Sequence, residues 1–119
     1  MTASKSKSAK AQSGKQTKRY APADVKIPRK LGGGVLKEFV EQEVASGKII
    51  HYALAYINPA IYAGDQGRVL GYDNAHGFPH KHFFGIRTPE PGLPWEEIRE
   101  KFEIEWREIA LKFVGEERS

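Results

Sequence analysis

The sequence predicts an α+β domain with one N-terminal helix, an antiparallel meander of three or more strands, and one long C-terminal helix. Residues 48–58 and two shorter runs after them are rich in β-branched and aromatic side chains, and short links join them. Such runs are typical of antiparallel strands. Beyond Pro94, large apolar side chains recur every three or four residues, which is typical of an amphipathic helix.

The length and composition limit the class of protein. The chain has 119 residues, which suits one domain with a single small core. It has no cysteine, which excludes disulfides and zinc–thiolate sites. No apolar run reaches membrane-spanning length, and no apolar signal core follows the basic N-terminus. These features predict a soluble, cytoplasmic protein without a membrane partner.

The positive charge is concentrated at the N-terminus. Residues 1–30 carry nine Lys and Arg against one Asp, or +8, whereas residues 31–119 carry ten basic and fourteen acidic residues, or −4. Residues 1–19 have no large apolar side chain after Met1, so we expect disorder there. We therefore predict a basic tail and linker over 1–30 and one domain over 31–119. The tail is either an electrostatic arm for nucleic acid or a solubilising extension.

The first predicted element is a helix that begins at Gly34 and ends before Gly47. Its apolar residues follow a spacing close to that of a helix face: Val35, Leu36, Phe39, Val40 and Val44. The glycines at 32–34 lack the Lys-Ser/Thr of a phosphate loop, so they are interpreted as a flexible lead-in.

Three strands and the final helix complete the prediction. Residues 48–58 form the first strand, and neither of its faces is clearly polar, which suggests cover on both sides. Residues 68–74 and 80–86 form the second and third strands. The final helix buries a stripe of large side chains: Trp95, Ile98, Phe102, Trp106, Ile109 and Phe113.

The segment GYDNAHGFPHKHFFG, residues 71–85, holds three of the four histidines. On a strand, alternation sends His80 and His82 to one face and Lys81 to the other, and the turn brings Asp73 or His76 near. Such a set suits a metal site with an open position, or metal-free acid–base chemistry in which one imidazole accepts a proton and another donates one. An ordinary turn with surface histidines is equally compatible with the pattern.

The same stretch resembles the signature of the TumE-like toxin family, small proteins identified as toxin components of toxin–antitoxin pairs. The alternating strand HYALAYI is followed in order by the matching motifs: Gly67-Arg68-Val69, Tyr72-Asp73-Asn74, Gly77, His80-Lys81-His82 and Gly85. The match covers about residues 48–86. Pro79 and Lys81 depart from the family pattern, which has an aspartate and an arginine there.

The resemblance implies a toxin that inhibits growth and has a cognate antitoxin, often a helix-turn-helix protein. We expect it to act on RNA by metal-independent endonucleolytic cleavage without a cofactor, since the 2′-hydroxyl of the substrate supplies the nucleophile. The expected catalytic residues are His80, His82, Asp73 and His76, and the expected phosphate- or RNA-binding residues are Lys81, Arg68, Arg87 and Tyr72. Two alternatives stay open: a non-catalytic nucleic-acid-binding or regulatory module, and a metal-dependent hydrolase.

Overall fold

The computed structural model of the protein describes residues 16–118, except for the side chains of His76 and Arg118. Most of the predicted disordered tail, residues 1–15, lies outside the described residues. The described elements are β1 (Thr17–Tyr20), β2 (Val25–Lys26), β3 (Val35–Glu43), β4 (Ile49–Ile57), β5 (Arg68–Asp73), β6 (His80–Phe83), β7 (Ile86–Pro89) and the helix α1 (Trp95–Arg118). No helix in this part of the chain is long and apolar enough to cross a membrane.

All described strands belong to one antiparallel sheet. Its order is β1-β3-β4-β5-β6-β7, and the short strand β2 also pairs with β3. From β3 to β7, each strand pairs with the next one along the chain. The α+β class and the antiparallel meander are therefore confirmed.

The core lies between one face of the sheet and α1. Buried side chains from the sheet and the helix meet there: Val40, Tyr52, Leu54, Tyr56, Val69, Leu70, Tyr72, Ile98, Phe102, Trp106 and Ala110. Aromatic rings join the two layers, because Tyr52 contacts Trp95 and Tyr56 contacts Trp106, each with ring centroids 5.5 Å apart. The predicted C-terminal helix and the burial of Ile98, Phe102 and Trp106 are confirmed.

The predicted N-terminal helix is wrong, because this segment forms the strand β3. Leu36 and Val40 are four residues apart, and a separation of four is also a multiple of the strand period of two. The same residues therefore share one face in either structure. The pairing with β4 through a short hairpin link decides the outcome, and Gly47 in that link has a positive φ of 73°.

The expectation that β4 is covered on both sides is also wrong. Tyr52, Leu54 and Tyr56 are buried against α1, whereas His51 and Ala53 on the other face are exposed. No described element packs over that second face. We call it the open face of the sheet.

The sequence also missed two strands between residues 17 and 30. Residues Thr17–Tyr20 pair with residues 40–43 of β3, and Val25–Lys26 pair with its other end. Disorder predicted for residues 17–19 is therefore wrong. Once β3 is a strand, its edge offers backbone hydrogen bonds that do not require large apolar side chains in the partner.

The glycines at 32–34 form a fixed connection rather than a flexible lead-in. All three have positive φ, and a Cβ on Gly32 would lie 2.7 Å from the Cβ of Ala110. The Asn58 amide donates to the carbonyl of Gly32 at 2.8 Å. Glycine is needed here because the chain passes directly against α1.

Candidate functional site

A groove of about 670 Å³ lies on the open face of the sheet. Side chains from six strands line it, and its charged and imidazole groups are Arg19, Glu41, His51, Arg68, Asp73, His80, His82 and Arg87. With the imidazoles neutral, three arginines against two carboxylates give the groove a formal charge of +1. We call it the histidine groove.

The register of β5, β6 and β7 brings the predicted residues together. Asp73 lies opposite His80, and His82 lies opposite Gly71 on one side and Arg87 on the other. Side-chain alternation along β6 therefore directs His80 and His82 into the groove and Lys81 to the helix side, as the sequence predicted.

Both ring nitrogens of His82 are hydrogen-bonded. Nε2 lies 3.0 Å from Asp73 Oδ2, and Nδ1 lies 3.1 Å from the Arg68 guanidinium. A guanidinium only donates, so Nδ1 accepts and Nε2 carries the proton that is donated to Asp73. Arg68 is held from behind by Asp65, whose Oδ2 accepts from Nε at 2.8 Å. The result is a chain of contacts, Asp65–Arg68–His82–Asp73.

His80 is more deeply placed, with 4% of its surface exposed. The Arg87 guanidinium donates to its Nε2 at 2.7 Å, so the proton of the neutral ring is on Nδ1. That nitrogen lies 3.9 Å from Asp73 Oδ1, and the ring packs on Phe78 with centroids 4.3 Å apart. Asp73 therefore lies beside both imidazoles, and each imidazole accepts from its own arginine.

Gly71 allows Arg68 to reach His82. A Cβ added at Gly71 would lie 3.0 Å from Cδ of Arg68, which is closer than carbon atoms normally approach. The Arg68 side chain thus lies across the backbone of β5 at the position where any other residue would carry a side chain.

A second cluster, around Glu41, lies in the same groove. Thr17 Oγ1 donates to Glu41 Oε2 at 2.6 Å, and His51 Nδ1 lies 2.8 Å from Oε1. The Nε of Arg19 is 3.7 Å from Oε2. The hydrogen bond from Thr17, followed by that from His51, lowers the pKa of the Glu41 carboxyl below its usual value. Glu41 is therefore ionised at neutral pH and accepts from both neighbours.

The two other predicted RNA-binding residues lie on the opposite side of the sheet. The Tyr72 side chain is 1% exposed and donates to Glu105 of α1. Lys81 Nζ lies 3.2 Å from the second oxygen of Glu105. Burial raises the pKa of the Tyr72 hydroxyl, and the hydrogen bond to Glu105 raises it further. Tyr72 and Lys81 therefore hold α1 on the sheet and do not line the groove.

The structure describes the backbone of His76, in the turn Ala75–Gly77, but its side chain lies outside the description. Asn74 beside it has a structural role. Its side chain accepts from Tyr52 N at 2.9 Å and donates to Ile50 O at 2.8 Å, which satisfies the backbone of β4 beyond the end of β5.

The sequence interpretation missed Arg19, Glu41 and His51. A signal for His51 was present, because it shares a strand face with Ala53 and Ala55, and two alanines in a row on one face leave space above the sheet. The sequence contains no indication that Glu41 and Arg19 line a groove, because the segment around Glu41 was predicted to be a helix and residues 17–19 were predicted to be disordered.

The arrangement does not favour a metal ion. Among the side chains that the structure describes, no three His, Asp or Glu groups converge as metal ligands. Arg68 and Arg87 also donate to the accepting nitrogens of His82 and His80. A metal ion bound at those nitrogens would lie beside the positive charges of both guanidinium groups.

Comparisons of the chain with protein-family models, curated proteins and solved structures gave no match. The likeness to the TumE-like toxin family therefore stays a prediction from the motif.

Proposed function

We propose that the histidine groove binds single-stranded RNA and cleaves its phosphodiester backbone without a metal ion, in the role of a toxin with a cognate antitoxin. The observation that carries the proposal is the pair of arginine–imidazole contacts, Arg68–His82 and Arg87–His80, on either side of one carboxylate.

The groove has the chemistry that a phosphodiester requires. Guanidinium groups bind phosphate oxygens through two parallel hydrogen bonds, and the groove has three of them. It crosses several strands of an uncovered sheet face, which suits an extended strand better than a compact small molecule. The half-buried ring of Phe39 on its wall offers a surface on which a base can stack.

The same arginines link phosphate binding to proton transfer. In the free protein they donate to the imidazole nitrogens that would otherwise accept or carry a proton. A phosphate that takes over those guanidinium donors leaves the imidazole nitrogens available beside the scissile bond. Metal-free RNA cleavage needs an acid, a base and charge stabilisation, and the nucleophile comes from the substrate.

Cleavage and cofactors can be tested with purified protein and a labelled single-stranded RNA. We expect cleavage that persists in EDTA and stops when the attacking 2′-hydroxyl is replaced by hydrogen. His82→Ala and Arg87→Ala should each lower the rate on the order of 10²-fold or more. Arg99→Ala is the matched control, because Arg99 is exposed on α1, outside the residues that line the groove.

The outcomes separate the alternatives. Loss of activity in EDTA that returns with a divalent ion would support the metal-dependent hydrolase. Binding that weakens in Arg87→Ala, without cleavage by the wild type, would support a non-catalytic binding module. For the toxin role, induced expression should arrest growth while cellular RNA is degraded, and co-expression of the cognate antitoxin should restore growth.

A further inference from the structure

In the histidine groove, the accepting nitrogen of His51 receives a hydrogen bond from no protein group that the structure describes. Glu41 is ionised and holds the proton of His51 on Nδ1, at 2.8 Å. In the neutral ring His51 Nε2 is therefore the accepting nitrogen, and within residues 16–118 no side chain or backbone group donates to it. The side chain of His51 is 54% exposed and lines the groove.

His80 and His82 differ from His51 in this respect. Arg87 donates to the accepting nitrogen of His80, and Arg68 donates to that of His82. Both rings are also more buried than His51, with side-chain exposures of 4% and 14%. A general base must have an unprotonated nitrogen that a substrate hydroxyl can approach, and neutral His51 presents such a nitrogen without rearrangement.

Glu41 holds the His51 ring in the way that a carboxylate holds the histidine of an acid–base pair. One Glu41 oxygen accepts from His51, and the other accepts from Thr17 at 2.6 Å, so the carboxylate is fixed on both sides. A carboxylate in this position sets the tautomer of the ring and stabilises the imidazolium that forms when the ring accepts a proton. Thr17 belongs to β1, so the first strand of the sheet completes this cluster.

We infer that His51 is the general base of the proposed RNA cleavage and that Glu41 is its positioning residue. This inference rests on the proposed function. The 2′-hydroxyl gives its proton to His51 Nε2, and its oxygen forms a bond to phosphorus as the bond from phosphorus to the 5′-oxygen breaks. The leaving oxygen takes a proton from the imidazolium form of His80 or His82. The products are a 2′,3′-cyclic phosphate and a 5′-hydroxyl, and water returns both histidines to their starting states.

The register supports this division of roles. Arg19, Glu41 and His51 lie in one row across β1, β3 and β4, and Asp73 and His80 lie in the next row, opposite Ala53. Ala53 lies two residues from His51 along β4, or about 7 Å, and two strands from His80, or about 10 Å, with Asp73 between them. A phosphate held above Ala53 therefore lies beside His51 and faces His80 across Asp73. The small side chain of Ala53 leaves that space open.

The test is the cleavage rate of the full chain on single-stranded RNA as a function of pH. His51→Ala should lower kcat on the order of 10²-fold with little change in KM, because the base does not bind the phosphate. The charged and titratable groups that share the groove with His51 are Glu41 from β3, Arg19 from β1, Arg68 and Asp73 from β5, His80 and His82 from β6, and Arg87 from β7. Glu41→Gln removes the negative charge that stabilises the imidazolium, so the acid limb of the pH profile should move to lower pH. Glu38→Gln, on the opposite face of β3, is the matched control and should leave the profile unchanged.

The possible results for these variants test the role of His51, the role of Glu41 and the proposed function separately. Full activity of folded His51→Ala, with His80→Ala and His82→Ala inactive, would overturn this inference and leave the proposed function standing. An unmoved acid limb in active Glu41→Gln would overturn the role of Glu41. If the wild type does not cleave RNA at all, both this inference and the proposed function fail. Circular dichroism and the melting temperature exclude unfolding as the cause of lost activity.

Discussion

Gly71 illustrates how the absence of a side chain shapes the site. Its Cα lies under the Arg68 side chain, and an added Cβ would be 3.0 Å from Arg68 Cδ. We expect Gly71→Ala to push the guanidinium away from His82 and leave the ring with one partner, Asp73. The added Cβ would also lie 3.3 Å from the backbone oxygen of Leu54, so the free energy of unfolding should fall by about 1–3 kcal/mol, the usual cost of overpacking.

The measurement for Gly71→Ala is the ¹⁵N chemical shift of His82 Nδ1, with RNA affinity as a second readout. The shift should move towards that of a nitrogen without a donor, and the affinity should fall. Gly115→Ala is the control, because nothing except its chain neighbours and the backbone of its own helix lies within 4 Å of the position of its added Cβ. Unchanged His82 resonances in Gly71→Ala would contradict the proposed contact.

Thr17 tests the electrostatics of the Glu41 cluster. Thr17→Val keeps the shape of the side chain but removes the hydrogen bond that is the largest cause of the lowered pKa of Glu41. The pKa should therefore rise towards its ordinary value, which an NMR titration of the Glu41 carboxyl would detect. An unchanged titration would show that Thr17 does not hold the carboxylate.

Thr17→Val should also lower the stability of the fold, by an amount that depends on pH. A carboxyl with a lowered folded-state pKa stabilises the fold above the unfolded pKa, about 4.3, and this contribution is lost as the pH falls through the folded value. The stability difference between Thr17→Val and the wild type should thus be larger at pH 7 than at pH 3. Urea unfolding at the two pH values measures it.

At the scale of elements, α1 tests the core directly. Phe102 and Trp106 are buried against the sheet, so alanine at either position should lower the free energy of unfolding by about 3–5 kcal/mol. Ile104 lies on the same helix but is 53% exposed, and Ile104→Ala should cost less than about 1 kcal/mol. Urea denaturation followed by circular dichroism measures all three. Equal losses at positions 104 and 106 would contradict the packing.

The comparison between α1 and β3 explains which elements could be predicted. The apolar stripe of α1 extends over about five turns, and over that length only a helix keeps such residues on one face. In β3 the apolar residues at i and i+4 fit both periods, and the choice depends on pairing with β4, which is a contact between segments. Strand β1 has even less local signal, since it is held by its pairing with β3.

The same distinction applies to the site at the scale of the whole molecule. Asp73, His80 and His82 lie within ten residues of one another, so alternation along β6 predicted that the two imidazoles share a face, and the turn before β6 predicted that Asp73 or His76 lies near them. Arg19, Glu41 and His51 reach the groove only through the sheet order β1-β3-β4. Residues that come together only through pairing of distant strands show no regular spacing in the sequence, so their site could not be predicted from it.

The position of β1 limits how much of the basic tail can be deleted without disturbing the sheet. Residues 17–20 form a sheet strand, and Arg19 lines the groove, so a deletion must end at residue 15 to remove the tail alone. Residues 1–15 carry four lysines, and composition predicts that they bind nucleic acid electrostatically. Each phosphate contact on a single strand contributes about 0.7 to the slope of log affinity against log salt, so the deletion should flatten the slope by up to about 3.

The control for this deletion is the melting temperature. It should stay close to that of the full chain, because residues 1–15 contain no large apolar side chain other than Met1 to bury. The cleavage rate at saturating RNA should also be unchanged, since every proposed catalytic group lies after residue 15. Arg19→Ala in the full chain should remove only one contact, or about 0.7 from the slope. Equal salt slopes with and without residues 1–15 would show that the tail does not bind RNA and that the groove alone carries the affinity.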